Sequence, residues 1–137
     1  MEVFSNSFVK VEIDFTNFFI FAKWLPKTES MSDVEYKQTF SSIADIIEKN
    51  NIKVWLGDTL EFKTPIVPTL QDWTANELNP RLVKAGLKKM AMIVPEEFIA
   101  QISVEQSVDE MNSRNIENQF EIKYFEKIED AKIWLLK

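Results

Sequence analysis

Hydrophobic and polar positions change period several times along this chain, and each change marks an element. Val9, Val11 and Ile13 alternate with Lys10, Glu12 and Asp14, the period of two expected of a half-buried strand. Phe18 to Trp24 is nearly all apolar and aromatic, which predicts a more deeply covered strand. Only Phe15-Thr16-Asn17 lies between them, so the pair is expected to form an antiparallel hairpin. Pro26 ends the second strand. Ser32, with Glu35 three residues on, then forms a capping box, and Met31 and Tyr36 occupy the hydrophobic-staple positions. Tyr36, Phe40, Ile43 and Ile47 follow at helical spacing. Asn50 and Asn51 suit the helix exit, because asparagine tolerates the left-handed conformation.

Ile52 to Leu56 is a short apolar run before Gly57-Asp58, the pattern of a buried strand followed by a turn. Pro65 and Pro68 mark an irregular loop. A second helix is expected to start near Pro68 and to stop at Gly86, with Pro80 kinking it or splitting it in two. Met90 to Val94 reads as a strand covered on both faces, and Pro95 as the start of a short helical piece. Ser103 and Gln106 form another capping box, with Val104, Val108 and Met111 on one helical face, before a polar loop from Asn112 to Asn118. Phe120, Ile122 and Tyr124 alternate with Glu121 and Lys123 as a last strand, and Ile128, Ala131, Trp134 and Leu135 predict a C-terminal amphipathic helix. The order β-β-α-β-α-β-α-β-α implies an α/β fold. Its sheet is mixed but mostly parallel, with about five strands, an N-terminal antiparallel hairpin and four to five helices. No linker or repeat interrupts it, so residues 1–137 read as one domain.

Composition narrows the chemistry. Hydrophobic residues make up 45% of the 137 residues, enough for one core. The net charge is −6, which disfavours nucleic acid and anionic membrane surfaces as partners; Lys84, Lys88 and Lys89 are the local exception and read as a solvated helix end and strand start. Phe18 to Ala22 is too short an apolar run to cross a bilayer, and Met1-Glu2-Val3-Phe4 does not resemble a signal peptide. There is no cysteine and no histidine. Disulfides, thiolate or imidazole metal sites and His-based catalytic triads are therefore excluded, and a reducing, cytoplasmic setting is expected. With two glycines there is no phosphate-cradling loop. A catalytic role and a cofactor are not expected.

Local sequence adds a family resemblance. Trp55-Leu56-Gly57-Asp58, Gln71-Asp72-Trp73, the stretch Leu82 to Ala91, and Tyr124-Phe125 with Ala131 to Leu135 resemble the stand-alone bacterial STAS-like, or CRAL-TRIO-like, domains. The likeness covers the chain roughly from Phe8 to the end. It implies the mixed sheet already described and a protein-interaction role. In phosphorylated STAS antagonists an Asp-Ser-Ser-Gly-like turn precedes the second helix. Here Thr64-Pro65-Ile66-Val67-Pro68-Thr69 stands in its place, without the acidic residue, the paired serines or the glycine.

The candidate site residues are Asp58, Thr59, Thr64, Thr69, Gln71 and Trp73. Asp58 follows a buried strand, where α/β folds gather ligands, although a turn aspartate is the commoner use of such a residue. A receiver-like arrangement of Asp58 with Asp14 and Lys127 fails on topology, because Asp14 ends a strand that leads into another strand. A phosphate on Thr69 would sit at a helix N-terminus; a plain loop or capping hydroxyl is the alternative. Trp73, near Leu70 and Leu78, could line a groove or anchor a dimer, or simply pack in the core.

Three functions fit. The first is a non-catalytic interaction module, self-associating as a homodimer or binding another protein through Asp58 to Trp73. The second is a carrier or sensor of an apolar small molecule or lipid, which a large apolar pocket near Trp73 would favour. The third is an enzyme using Asp58, Glu61 and Asp72 around a divalent cation.

Overall fold

The computed structural model describes residues 2–63, 67–98 and 120–137. Thr64, Pro65 and the second capping box at Ser103 and Gln106, with the helical face and polar loop that follow it, lie outside the described residues. Among the described residues six strands form one sheet: β1 (Glu2–Ser5), β2 (Val9–Asp14), β3 (Phe19–Trp24), β4 (Val54–Asp58), β5 (Lys89–Ile93) and β6 (Glu121–Phe125). They lie side by side in chain order. β1, β2 and β3 are antiparallel neighbours, and β3 to β6 are parallel. The helices are α1 (Asp33–Asn50), α2 (Pro68–Trp73), α3 (Asn79–Ala85) and α4 (Ile128–Leu135).

The local signals do what their chemistry requires. Ser32 accepts from the Glu35 N–H while the Glu35 carboxylate accepts from the Ser32 N–H, which closes the capping box of α1. Met31 and Tyr36 are both buried in one cluster, as staple residues should be. Asn51 (φ 54) and Gly86 (φ 97) take the left-handed conformation that ends α1 and α3. In the β2–β3 turn the Asp14 carboxylate accepts from the Thr16 and Asn17 N–H groups and from the Asn17 amide. The Asn17 amide bond is the chief cause of a lowered Asp14 pKa.

Three expectations need correction. β1 is an extra edge strand, so the sheet has six strands rather than about five; its four residues are mostly exposed and carry a register shift against β2. Phe18 is a turn residue at φ 50, half exposed, and its carbonyl accepts from the N–H groups of Lys53 and Val54. β4 starts at Val54 and runs on through Gly57 and Asp58, which the sequence reading placed in a turn. The kink or division expected at Pro80 has a counterpart: the segment is divided into α2 and α3, and Pro80 is the second residue of α3. A π-turn, Thr74–Leu78, precedes it, and the Asn79 N–H reaches back five residues to the Thr74 carbonyl. The backbone stays right-handed helical at Leu78 and Asn79. An interior proline ring clashes with the carbonyl four residues back, and the wider turn ahead of it makes the room.

Because every crossover steps one strand in the same direction, a single crossover hand puts α1 and the α2–α3 segment on the same sheet face. There they cover Val9, Val11, Ile13, Ile20, Ala22, Trp24 and Trp55 in the larger core cluster. Arg81 of α3 ties down α1 by bonding Asp45 and Glu48. The opposite face holds a smaller cluster, with Val54, Leu56, Ala91 and Ile93 under Ala131 and Leu135 of α4. Lys89, from the basic cluster, donates to the Trp134 carbonyl on that side and lies over the Trp134 ring.

Candidate functional site: an aromatic cavity beneath the π-turn

Among the described residues, the α1–α3 face of the sheet is not fully covered. Alternation sends Trp55 and Gly57 of β4, Met90 and Met92 of β5, and Ile122 and Tyr124 of β6 to that side, in register across the three strands. The π-turn and α1 wall the space from above, through Thr74, Leu78, Tyr36 and Phe40. The loop after β4 closes one side with Thr59, Leu60 and Phe62. The resulting cavity holds about 760 Å³, within the range usual for small-molecule sites. It lies toward the C-terminal ends of the parallel strands, where α/β sheets collect ligands.

The wall is mostly rings and thioethers. Trp24 stacks at a tilt on Phe40 at 4.8 Å and meets Phe62 edge-on at 5.1 Å. Tyr36 lies 4.6 Å from Phe40 and edge-on to Trp73 at 6.0 Å. Ring contacts of this kind fix the shape of the wall, while Met90 and Met92 supply an adaptable patch.

Lys63, Asn79 and Glu97 also line the cavity, and three hydroxyls on its wall have defined roles. The Thr74 hydroxyl donates to the Leu70 carbonyl at 2.8 Å and lies 2.9 Å from the Tyr36 oxygen. Each hydroxyl has one proton, so both contacts are satisfied together when Tyr36 donates to Thr74 and Thr74 donates to Leu70. Burial raises the Tyr36 pKa above its ordinary value, and the Thr74 bond opposes that shift. Thr59 spends its hydroxyl proton on the Ile93 carbonyl at 2.7 Å. The loop that carries Phe62 is held by buried Thr28, whose hydroxyl donates toward the Leu25 and Glu61 carbonyls and accepts from the Lys63 N–H.

The residues proposed from sequence do not converge on this cavity. Thr59 lines it. Asp58 points to the α4 face by alternation, and its carboxylate accepts the Leu60 N–H in the turn after β4. Thr69 and Gln71 are exposed on α2. Trp73 is half-buried behind Tyr36, one layer away from the cavity wall. No group of three or more acidic or other metal-ligating side chains occurs among the described residues, so Asp58, Glu61 and Asp72 do not assemble into a cation site. Sequence reasoning missed Tyr36, Trp55, Gly57, Thr74 and Met92. A usable signal was the pairing of alternate residues Met90/Met92 with Ile122/Tyr124 on adjacent strands.

No helix among the described residues is long and apolar enough to cross a membrane. Comparison with protein-family models, curated proteins and solved structures finds no match to this chain.

Proposed function

We propose that the chain is a binding protein for an apolar small molecule, carried or sensed in the cavity between the β4–β6 face and the π-turn. The observation that carries this reading is the cavity that the described residues enclose: about 760 Å³, with a wall mostly of aromatic, methionine and aliphatic side chains and with Lys63, Asn79 and Glu97 among its polar residues. Such a volume left to water would expose rings that are otherwise packed edge to face, and an apolar occupant removes that cost. The π-turn adds support, because such insertions are often found at functional sites and this one borders the cavity with Thr74 and Leu78.

The site is read as holding its ligand rather than transforming it. The chain has no histidine or cysteine, and the Thr59 and Thr74 hydroxyls donate to main-chain carbonyls instead of facing a base. The interaction-module reading has less behind it. Among the described residues of the segment from Asp58 to Trp73, Leu60 and Val67 are the large apolar residues that are exposed, and scattered exposed apolar residues are ordinary on a protein surface.

Native mass spectrometry of untagged protein from its own host tests the proposal. A stoichiometric adduct of a few hundred daltons that leaves on denaturation is the expected result. A homodimer or hetero-complex with no small adduct would favour the interaction module instead.

A further inference from the structure

Trp55 lies on the cavity wall and is only 3% exposed. Its indole Nε1 has no hydrogen-bond partner among the described residues. Yet no buried side-chain nitrogen or oxygen there is both sealed and unpaired. Among the described residues, the Trp55 N–H is therefore not sealed off. Gly57 shows where it opens, because it sits two residues on along the same face of β4 and also lines the cavity. A Cβ at position 57 would lie 3.6 Å from Trp55 Nε1. The missing side chain of Gly57 leaves the indole edge uncovered toward the cavity. An indole N–H that opens onto an apolar-walled cavity is a donor that an occupant can pair, and an occupant that covers it without an acceptor would leave it unsatisfied at a cost of about 1–3 kcal/mol.

The surroundings select the acceptor. Thr59, beside Gly57, already spends its proton on Ile93, and the Tyr36 proton goes to Thr74. Neither competes as a donor with Trp55. Lys63 is half exposed and pairs loosely with Glu61 at 4.0 Å, so its charge belongs to the solvent-facing rim. A carboxylate brought against Trp55 would lose its hydration in return for one neutral N–H. A neutral carbonyl loses far less.

We propose that Trp55 Nε1–H is the polar anchor of the cavity and binds the carbonyl oxygen of an otherwise apolar, uncharged molecule, a ketone or an ester. This rests on the reading of the cavity as a small-molecule site.

Three probes of one shape separate the possibilities: 2-acetylnaphthalene, its carbonyl-free counterpart 2-isopropylnaphthalene, and 2-naphthoate. Titration followed by ¹⁵N–¹H spectra of the four tryptophan indoles reads the site in the unaltered protein. The Trp55 resonance, assigned by its loss in Trp55→Phe, is expected to move saturably with 2-acetylnaphthalene and far less with 2-isopropylnaphthalene. In calorimetry, Trp55→Phe is expected to reduce the affinity for 2-acetylnaphthalene relative to 2-isopropylnaphthalene by about 3- to 10-fold, the worth of one neutral hydrogen bond. Binding of both naphthalenes with no selective movement of the Trp55 resonance overturns the anchor and leaves the cavity reading standing. Tighter binding of 2-naphthoate overturns the neutral-carbonyl class. Absence of binding by all three overturns the anchor and the cavity reading together. Where Trp55→Phe does not fold, the Trp55 resonance is assigned instead by through-bond correlation of each indole to its own backbone in the unaltered protein, and its spectra still decide among these outcomes.

Discussion

Filling position 57 should make the protein more stable and less able to bind. Glycine inside a strand is costly, by about 0.5–1 kcal/mol relative to alanine, because the unfolded chain is freer there. Gly57 carries no conformational excuse for that cost: Gly86 is the described glycine with a positive φ. It carries no packing excuse either. A Cβ at Gly57 would meet Trp55 Nε1 at 3.6 Å, the Ala91 carbonyl at 3.9 Å and Thr59 Cγ2 at 3.9 Å, all ordinary contacts. Gly57→Ala is therefore expected to stabilise by about 0.5–1 kcal/mol. In a domain of this size that raises Tm by roughly 2–4 °C. Gly57→Val keeps the strand preference and fills more of the cavity. Urea denaturation and calorimetric titration with 2-acetylnaphthalene, run on the same two variants, give the stability and the affinity. The reasoning requires stability to hold or rise while affinity falls, more for valine than for alanine. A loss of more than about 1 kcal/mol in Gly57→Ala would show a packing demand at this position, and the argument that glycine keeps an indole edge open would fail.

Other outcomes follow from particular groups. Gly86→Ala forces a left-handed conformation on a residue with a Cβ, which also meets the movable Lys53 ammonium at 2.9 Å; a loss of about 1–2 kcal/mol is expected by urea denaturation. Ser32→Ala opens the capping box of α1 and should cost about 1 kcal/mol in the same assay, without altering the affinity for 2-acetylnaphthalene. Tyr36 holds its proton more tightly folded than unfolded, so its contribution to stability is full below its ordinary pKa of 10.0 and is lost as pH rises above it. Tyr36→Phe should lose about 1 kcal/mol at neutral pH with the Thr74 bond. It should also shallow the alkaline decline, as measured by thermal unfolding between pH 8 and roughly pH 11.

Local chemistry was legible in the sequence wherever one residue type does one job. Ser32 with Glu35, Asn51 and Gly86 each solve a backbone problem that few side chains can solve, and they mark the helix ends correctly. The alternation from Val9 to Asp14 reveals its strand because one face of that strand is buried and the other wet. Less was legible where the reason lies elsewhere in the fold. Glu2–Ser5 becomes a strand only because β2 offers it an edge, and four mostly exposed residues carry little pattern of their own. Phe18 looks like a strand residue by composition, but its turn conformation follows from the bonds its carbonyl accepts from Lys53 and Val54. Gly57-Asp58 has the composition of a turn, yet β3 and β5 supply ladder partners on both sides and keep it in the sheet. The cavity was the least legible feature. Met92, Ile122 and Tyr124 have the pattern of core residues, and their own sequence does not record that the other described residues leave the space above them unfilled. Trp73 drew attention for its place near Leu70 and Leu78 beside the candidate loop, while Trp55, in a strand read as buried, was not singled out although it lines the cavity.

The most direct test of the cavity is the ¹³C–¹H methyl spectrum of the methionines during titration with 2-acetylnaphthalene. Met90 and Met92 line the cavity, whereas Met31 is buried at the N-terminus of α1 and does not line it. The account predicts that the Met90 and Met92 methyl resonances move together and saturate at one ligand per chain, with Met31 unmoved. Resonances that never saturate, or a Met31 shift with Met90 and Met92 still, would contradict it.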